Sequence, residues 1–472
     1  MIRPSPQAAV ERALHAARCD DCVVIADETS SANLRWAGNT LTTNGVTSSR
    51  QLTVIAISRR GNAARAGVVS RAGVRDDQVT DLVREAERAA TAAPAAPDAQ
   101  PLPVPGGLAA DGAGRSGPAG WDEPITGTGI GVFGSFAPTL RAAFDTAASG
   151  GRKLYGYAEH SLTSTFLGTS GGVRLRHDQP AGRLELNAKS ADLARSAWAG
   201  AGAADFASID VAAMEAGLAR QLGWAARRAE LPAGHYQTLL PPSAVADLMI
   251  GLYWSAGAQD ALDGRTVFSR PGGGTRVGER LAGLPLTLRS DPLAPGLECS
   301  PFVLCRASSR ASSVFDNGLA LAPTDWIRAG ELAALTQTRH SAQRAGMAVT
   351  PEIGNLTLLA PGGTASLDDM IARTERGLLL TCLWYIREVD PQSLLVTGLT
   401  RDGVYLVEHG EVTAAVNNFR FNESPVAMLG RVTEAGATTA TLPREFNEDF
   451  TRTAMPPLRV DGFNMSSVSQ AS

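Results

Sequence analysis

The sequence predicts an α+β fold in two domains, with helices packed on mixed and antiparallel sheets and a strand-rich C-terminal half. Three observations lead there. A chain of 472 residues is too long for one ordinary hydrophobic core. Runs with helical apolar spacing are interspersed with short β-type runs, in neither strict alternation nor separate blocks. Finally, Leu231-Pro232-Ala233-Gly234 interrupts the pattern near the middle, dividing the chain into an N-terminal α+β domain, 1–230, and a β-rich domain, 231–472.

The elements follow in order. Residues 8–17 carry Ala9, Val10, Ala13, Leu14 and Ala17 on one helical stripe. A strand is expected over 22–28. The next two runs, 33–40 and 51–57, flank Asn44-Gly45, a dipeptide suited to a tight hairpin turn. Residues 79–90 read as a helix with Leu82, Val83, Ala86 and Ala89 on one side. From 92 to 120 the chain is rich in Pro, Ala and Gly, the composition of a surface loop or linker. A helix is expected at 136–148, strands at 152–159, 161–169, 173–178 and 183–190, and a helix at 212–228. In the C-terminal half, helices fit 244–255 and 367–376. Short strands fit 355–360, 394–400, 403–408 and 411–416, with His409-Gly410 as a tight turn.

Composition narrows the function classes. Hydrophobic residues are 44% and charged residues 19%, a globular balance. A net charge of −4 and a pI near 5.9 give no basic footprint for nucleic acid. The first twenty residues hold Arg3, Glu11, Arg12 and Arg18 without the apolar stretch of a secretory signal. The longest apolar run, 378–386, is about half of what a bilayer span needs. A cytoplasmic protein without membrane or nucleic-acid contact is therefore expected. The odd number of cysteines, Cys19, Cys22, Cys299, Cys305 and Cys382, argues against a disulfide framework. Cys19-Asp20-Asp21-Cys22 is formally a CxxC motif, read here as ordinary thiols at a helix-to-strand turn, because no second ligand pair has zinc-ribbon spacing.

Most catalytic constellations are missing. There is no phosphate-binding Gly-Lys-[Ser/Thr] motif, and Gly272-Gly273-Gly274 reads as a hairpin tip. No Gly-x-Ser-x-Gly nucleophile elbow stands out. The histidines, His15, His160, His177, His235, His340 and His409, are all far apart in sequence. No single helix can therefore present two imidazoles to one metal.

Several segments together resemble the PmbA/TldD family. Near the N-terminus the segment is Asn33-Leu34-Arg35-Trp36-Ala37-Gly38-Asn39, with an R-x-x-x-N signature in Arg35 and Asn39. In the middle come Val267-Phe268-Ser269, Arg276-Val277-Gly278-Glu279-Arg280 and Phe315-Asp316-Asn317-Gly318. The last third adds Trp384-Tyr385-Ile386-Arg387, Leu399-Thr400-Arg401-Asp402-Gly403 and Asn417-Asn418-Phe419-Arg420-Phe421-Asn422-Glu423-Ser424-Pro425. The resemblance implies a partnership between a TldD subunit, whose His-Glu-x-x-x-His helix and a cysteine hold zinc, and a TldE/PmbA subunit without that motif. The family's complexes cut unfolded or extended peptides. Counted back from Val267-Phe268, the motif falls on Met249, Ile250 and Trp254. No His lies between Tyr236 and Arg339, and no Cys follows Cys382.

Thioether, aliphatic and indole groups do not replace two imidazoles and a carboxylate. The expectation is a subunit with no catalytic residue and no cofactor of its own, zinc residing in a TldD-like partner, and activity only in a heterodimer. Candidate contacts to the partner or to an extended peptide are Arg276, Glu279, Arg420, Asn422 and Glu423. Two other readings stay open. One is a stand-alone protein-binding regulator of the gyrase-modulator kind. The other is a peptidase with relocated chemistry at His235, Cys299 or Cys305.

Overall fold

The computed structural model describes residues 5–61, 63–106 and 120–469. Much of the expected loop at 92–120, namely 107–119, lies outside them. Helix α1 (Pro6–Ala16) starts where expected, with Pro6 in its first turn and the Ser5 hydroxyl accepting from the Ala8 N–H. Six strands then form one antiparallel sheet: β1 (Asp21–Trp36), β2 (Leu41–Arg60), β3 (Ala63–Ala72), β4 (Arg152–Thr169), β5 (Arg174–Ser190) and β6 (Ser196–Ala203). Their spatial order is β3-β2-β1-β4-β5-β6. Helices α2 (Val79–Ala92), α3 (Phe136–Ser149) and α4 (Val211–Trp224) complete this part.

The strands are longer than the sequence suggested, and one turn is elsewhere. Asn44 and Gly45 lie inside β2, opposite Leu34 and Asn33. The chain reverses at residues 37–40, where Gly38 (φ 59°) and Asn39 (φ 64°) supply the left-handed pair that a tight hairpin needs. The Asn39 amide fixes the turn by donating to the Arg152 carbonyl at 2.9 Å and accepting from the Leu154 N–H at 2.6 Å. Likewise 152–159 and 161–169 are one strand, and 173–178 and 183–190 are one strand that passes through Pro180. Pairing on both sides carries these strands across their polar stretches.

The side chains of β1 alternate cleanly. Val24, Ala26, Ala32, Leu34 and Trp36 face the helices and are buried among apolar residues of α1 to α4. On the other face, Val23 and Ile25 pack against Phe302, Cys305, Val314 and Phe315 from the C-terminal half. Further along that face the residues turn polar: Arg35 lies opposite Tyr157, and Tyr157 opposite Glu185.

Beyond α4 the strands belong to two other sheets. The larger contains β7 (Arg228–Ala229) and β8 (Gly234–Leu240). It is mixed, since β8 runs parallel to Arg376–Leu380 and antiparallel to Leu458–Val468. The smaller contains Thr287–Ser290, Thr324–Arg328, Leu356–Leu359 and Thr453–Met455. Helix α5 (Pro242–Trp254) lies in the largest core, with Phe268, Trp326, Phe419, Phe421 and Phe463. The helix expected at 367–376 is shorter, Leu367–Ala372, because the chain turns into the strand Arg376–Leu380. The α+β class, with mixed and antiparallel sheets and packed helices, is what the fold shows.

Candidate functional site

Helix α5 carries the positions where the family resemblance puts its zinc motif. Pro242 opens it, where an N–H would lack a partner in any case. Met249 and Ile250 are fully buried in the core. Trp254 points outward, 44% exposed, with its ring edge-on to Phe446 at 4.8 Å. These side chains do not fit a zinc ion. Two lie in a packed apolar interior, and the third faces away with an indole whose only polar atom is a donor.

One carboxylate does sit on this helix, and sequence reasoning passed over it. Asp247 is fully buried and accepts the backbone N–H groups of Arg444, Glu445 and Phe446 at 3.1, 2.9 and 3.2 Å. Burial outweighs those bonds and pushes its carboxyl up to about 8. The signal in the sequence was an acid inside the apolar run Ala246-Asp247-Leu248-Met249-Ile250.

The segment that Asp247 holds is a hub. Arg444 stacks on Trp384 at 4.0 Å and Trp198 at 5.0 Å, and pairs with Glu185 at 2.9 Å. Glu445 accepts from the N–H groups of Tyr385 and Ile386 and pairs with Arg387. The Asn447 side-chain carbonyl accepts from Arg183 at 2.6 Å. One short loop therefore ties α5 to the N-terminal sheet and to the strand Leu383–Asp390. Around it, Trp254 and Tyr385 are both about half exposed.

The polar end of the N-terminal sheet and the segment after this hub enclose a cleft of about 720 Å³. Arg35 and Arg183 lie over the Tyr157 ring at 4.9 and 5.4 Å. Arg183 also pairs with Glu159 and Glu448. Desolvation, with Glu159 beside it, holds the Tyr157 hydroxyl above its ordinary pKa. Arg452 lines this cleft and also a second cavity of about 350 Å³, shared with Cys299, Cys305 and Glu352. Desolvation lowers the Arg452 pKa, and the protein around Glu352 raises its carboxyl although that side chain keeps access to the cavity.

The residues singled out from sequence are scattered. Arg276 and Glu279 pair with each other at 2.8 Å, and Arg276 also donates to the Val267 carbonyl. Burial alternates along Phe419–Glu423. Arg420 and Asn422 share one face, whereas Glu423 lies on the other, paired with Arg431. Of the R-x-x-x-N pair, Arg35 reaches the cleft while Asn39 is the turn residue. Cys19 and Cys22 do sit between α1 and β1, both as free thiols. A hydrogen bond from Cys22 lowers the Cys19 pKa, while burial and the same pairing raise that of Cys22. Cys299 and Cys305 line one cavity that His235 does not reach, and burial pushes the Cys299 thiol up to about 11. Gly272, Gly273 and Gly274 form an exposed hairpin tip with positive φ throughout. His409, also at positive φ, is an exposed turn residue beside Glu375.

Among the described residues no helix is long and apolar enough to cross a membrane. No curated protein matches the sequence. Solved structures do match its fold. TldE from Thermococcus kodakarensis aligns with a TM-score of 0.78 at 15% identity, covering 96% of this chain and 98% of that one. A candidate modulator of DNA gyrase from Bacteroides thetaiotaomicron gives 0.74 at 14% identity, with 98% of each chain covered. A similar protein from Thermotoga maritima gives 0.74 at 15%, covering 97% and 99%. The sequence profile of the PmbA/TldA metallopeptidase C-terminal domain matches residues 233–467, and the chain belongs to the PmbA/TldD family.

Proposed function

We propose that this chain is the TldE-type, zinc-free subunit of a two-subunit peptidase, which holds extended peptide for a zinc-bearing TldD-like partner. The observation that carries this reading is the state of α5, with Met249 and Ile250 in the core and Trp254 on the surface. The fold likeness to TldE supports it. So does the ligand chemistry, since among the described residues no group of three His, Cys, Asp or Glu side chains is placed to hold a metal.

The exposed rings of Trp254 and Tyr385, beside α5, suit contact with a partner or with an apolar side chain of a bound peptide. Arg420 and Asn422, side by side on one sheet face, are the other proposed contact. A cytoplasmic site of action fits this role. The test is to purify the chain alone and together with a TldD-like protein carrying His-Glu-x-x-x-His, then measure cleavage of an unfolded peptide and zinc per subunit. Cleavage only by the pair, with zinc in the partner, is the expected result. Zinc-dependent cleavage by the isolated chain would overturn the proposal, and a stable monomer indifferent to the partner would favour a stand-alone regulator.

A further inference from the structure

We infer that the cavity between Arg452 and Glu352 is a binding site for a small zwitterion of dipeptide size, with the ligand's carboxylate on Arg452 and its ammonium on Glu352. The first ground is pairing. The described arginines of the interdomain region are mostly matched with acids: Arg183 with Glu159 and Glu448, Arg444 with Glu185, and Arg339 with Asp316. Arg452 has no ion pair and no side-chain hydrogen bond among the described residues, although protein surrounds most of it. Glu352 is solvent-exposed and likewise has no ion pair and no side-chain hydrogen bond among the described residues. For Arg452, half-buried and unpaired, the lost hydration costs free energy unless something compensates it.

The second ground is placement. Both side chains line the same cavity of about 350 Å³, yet no ion pair joins them. Two opposite charges that face one space without closing on each other leave room for a molecule bearing both. Guanidinium is the group suited to two-pronged carboxylate binding, and a carboxylate accepts from an ammonium. Phe302, Val303, Leu304 and Leu321 line the same cavity with apolar surface. A few polar groups on a largely apolar wall is the usual make-up of a small-molecule pocket.

The third ground is the surroundings. The other ionisable groups on this cavity are Cys299 and Cys305, whose thiols burial keeps protonated, and Asp316, which Arg339 engages at 2.6 Å. Neither neutral thiols nor a paired carboxylate competes for the ligand's charges. Arg452 also borders the 720 Å³ cleft, so the pocket has a polar approach along the seam between the two halves of the chain. A short peptide with free ends carries both of these charges, which connects this site to the function proposed above. The binding itself is a property of this chain alone.

The experiment titrates Ala-Ala into the full-length chain without any partner, by calorimetry, beside N-acetyl-Ala-Ala, Ala-Ala-amide and the doubly blocked N-acetyl-Ala-Ala-amide. The zwitterion is expected to bind at least about tenfold tighter than either singly blocked form. Arg452→Gln should abolish the preference for a free carboxylate, and Glu352→Gln the preference for a free amine. If Arg452→Gln fails to fold, Glu352→Gln and the blocked peptides still decide. Equal binding of all four peptides, or none at millimolar concentration, overturns the inference. Because no partner is present, that failure leaves the proposed subunit role standing, and absence of cleavage with a TldD-like partner leaves this site standing.

Discussion

Helix α5 and the Arg452 seam both set ionisable groups against protein, but they handle those groups in opposite ways. Around α5 every charge is answered. Asp247 has three backbone donors, Arg444 has Glu185 and two indoles, and Glu445 has Arg387 and two N–H groups. In the seam, Arg452 and Glu352 face a cavity with no ionic partner among the described residues. A buried network whose charges are paired fixes architecture. A pair of unsatisfied charges around open space is instead built for something that arrives. The difference sets structural chemistry at α5 apart from the ligand chemistry proposed for the seam.

The largest expected effect comes from placing a His-Glu-x-x-x-His pattern on α5. Combining Met249→His, Ile250→Glu and Trp254→His puts a carboxylate into the core that now holds Ile250. The triple variant should lose about 3–5 kcal/mol of stability, the cost of a buried charge without a partner. Zinc should not restore it, because α5 is packed on all sides at Met249 and Ile250. Denaturant midpoints with and without zinc measure this. A variant of wild-type stability that zinc stabilises further would make α5 a dormant metal site and erase the contrast.

Asp247→Ala tests the satisfied side at smaller cost. It leaves the Arg444, Glu445 and Phe446 N–H groups without their acceptor, an expected loss of about 2–4 kcal/mol. The pH dependence has a definite sign. The folded-state value, about 8, lies above the ordinary 3.8, so the protonated form is the one that folding favours. Its contribution is complete below pH 3.8 and falls as pH climbs towards 8. The gap between wild type and Asp247→Ala should therefore narrow across that window. Parallel pH profiles would show the carboxylate ionised in the folded protein, with its three donors outweighing burial.

The same contrast explains what could be read from the sequence. Helices α1 to α5 were visible because their apolar residues recur at helical spacing, and the α+β class followed. The first hairpin was misplaced because two sites compete for the left-handed conformation. Gly38-Asn39 wins over Asn44-Gly45 only through the Asn39 bonds to Arg152 and Leu154 on a distant strand. That no His lies between Tyr236 and Arg339 is read directly from the sequence and needs no geometry. The role of Asp247 was not legible, because its donors lie about two hundred residues further along the chain. Arg452 and Glu352 carried no pattern at all, and only the packing of separate strands and loops brings them to one cavity.

The smallest effect belongs to the unsatisfied side, and it is the sharper discriminator. Arg452→Met keeps most of the side-chain length and apolar stem while removing a cation that has paid for its desolvation without an ionic partner. Its stability should stay within about 1 kcal/mol of wild type, on the stabilising side. The sign matters more than the size, because deleting a charge that holds the fold together destabilises it, as expected for Asp247→Ala. Thermal or denaturant midpoints of the two variants, read side by side, make the comparison. If Arg452→Met lost more than about 2 kcal/mol, the guanidinium would have to be doing the structural work that Asp247 does. The seam would then be architecture like α5, and an arriving ligand would no longer be needed to account for its unpaired charges.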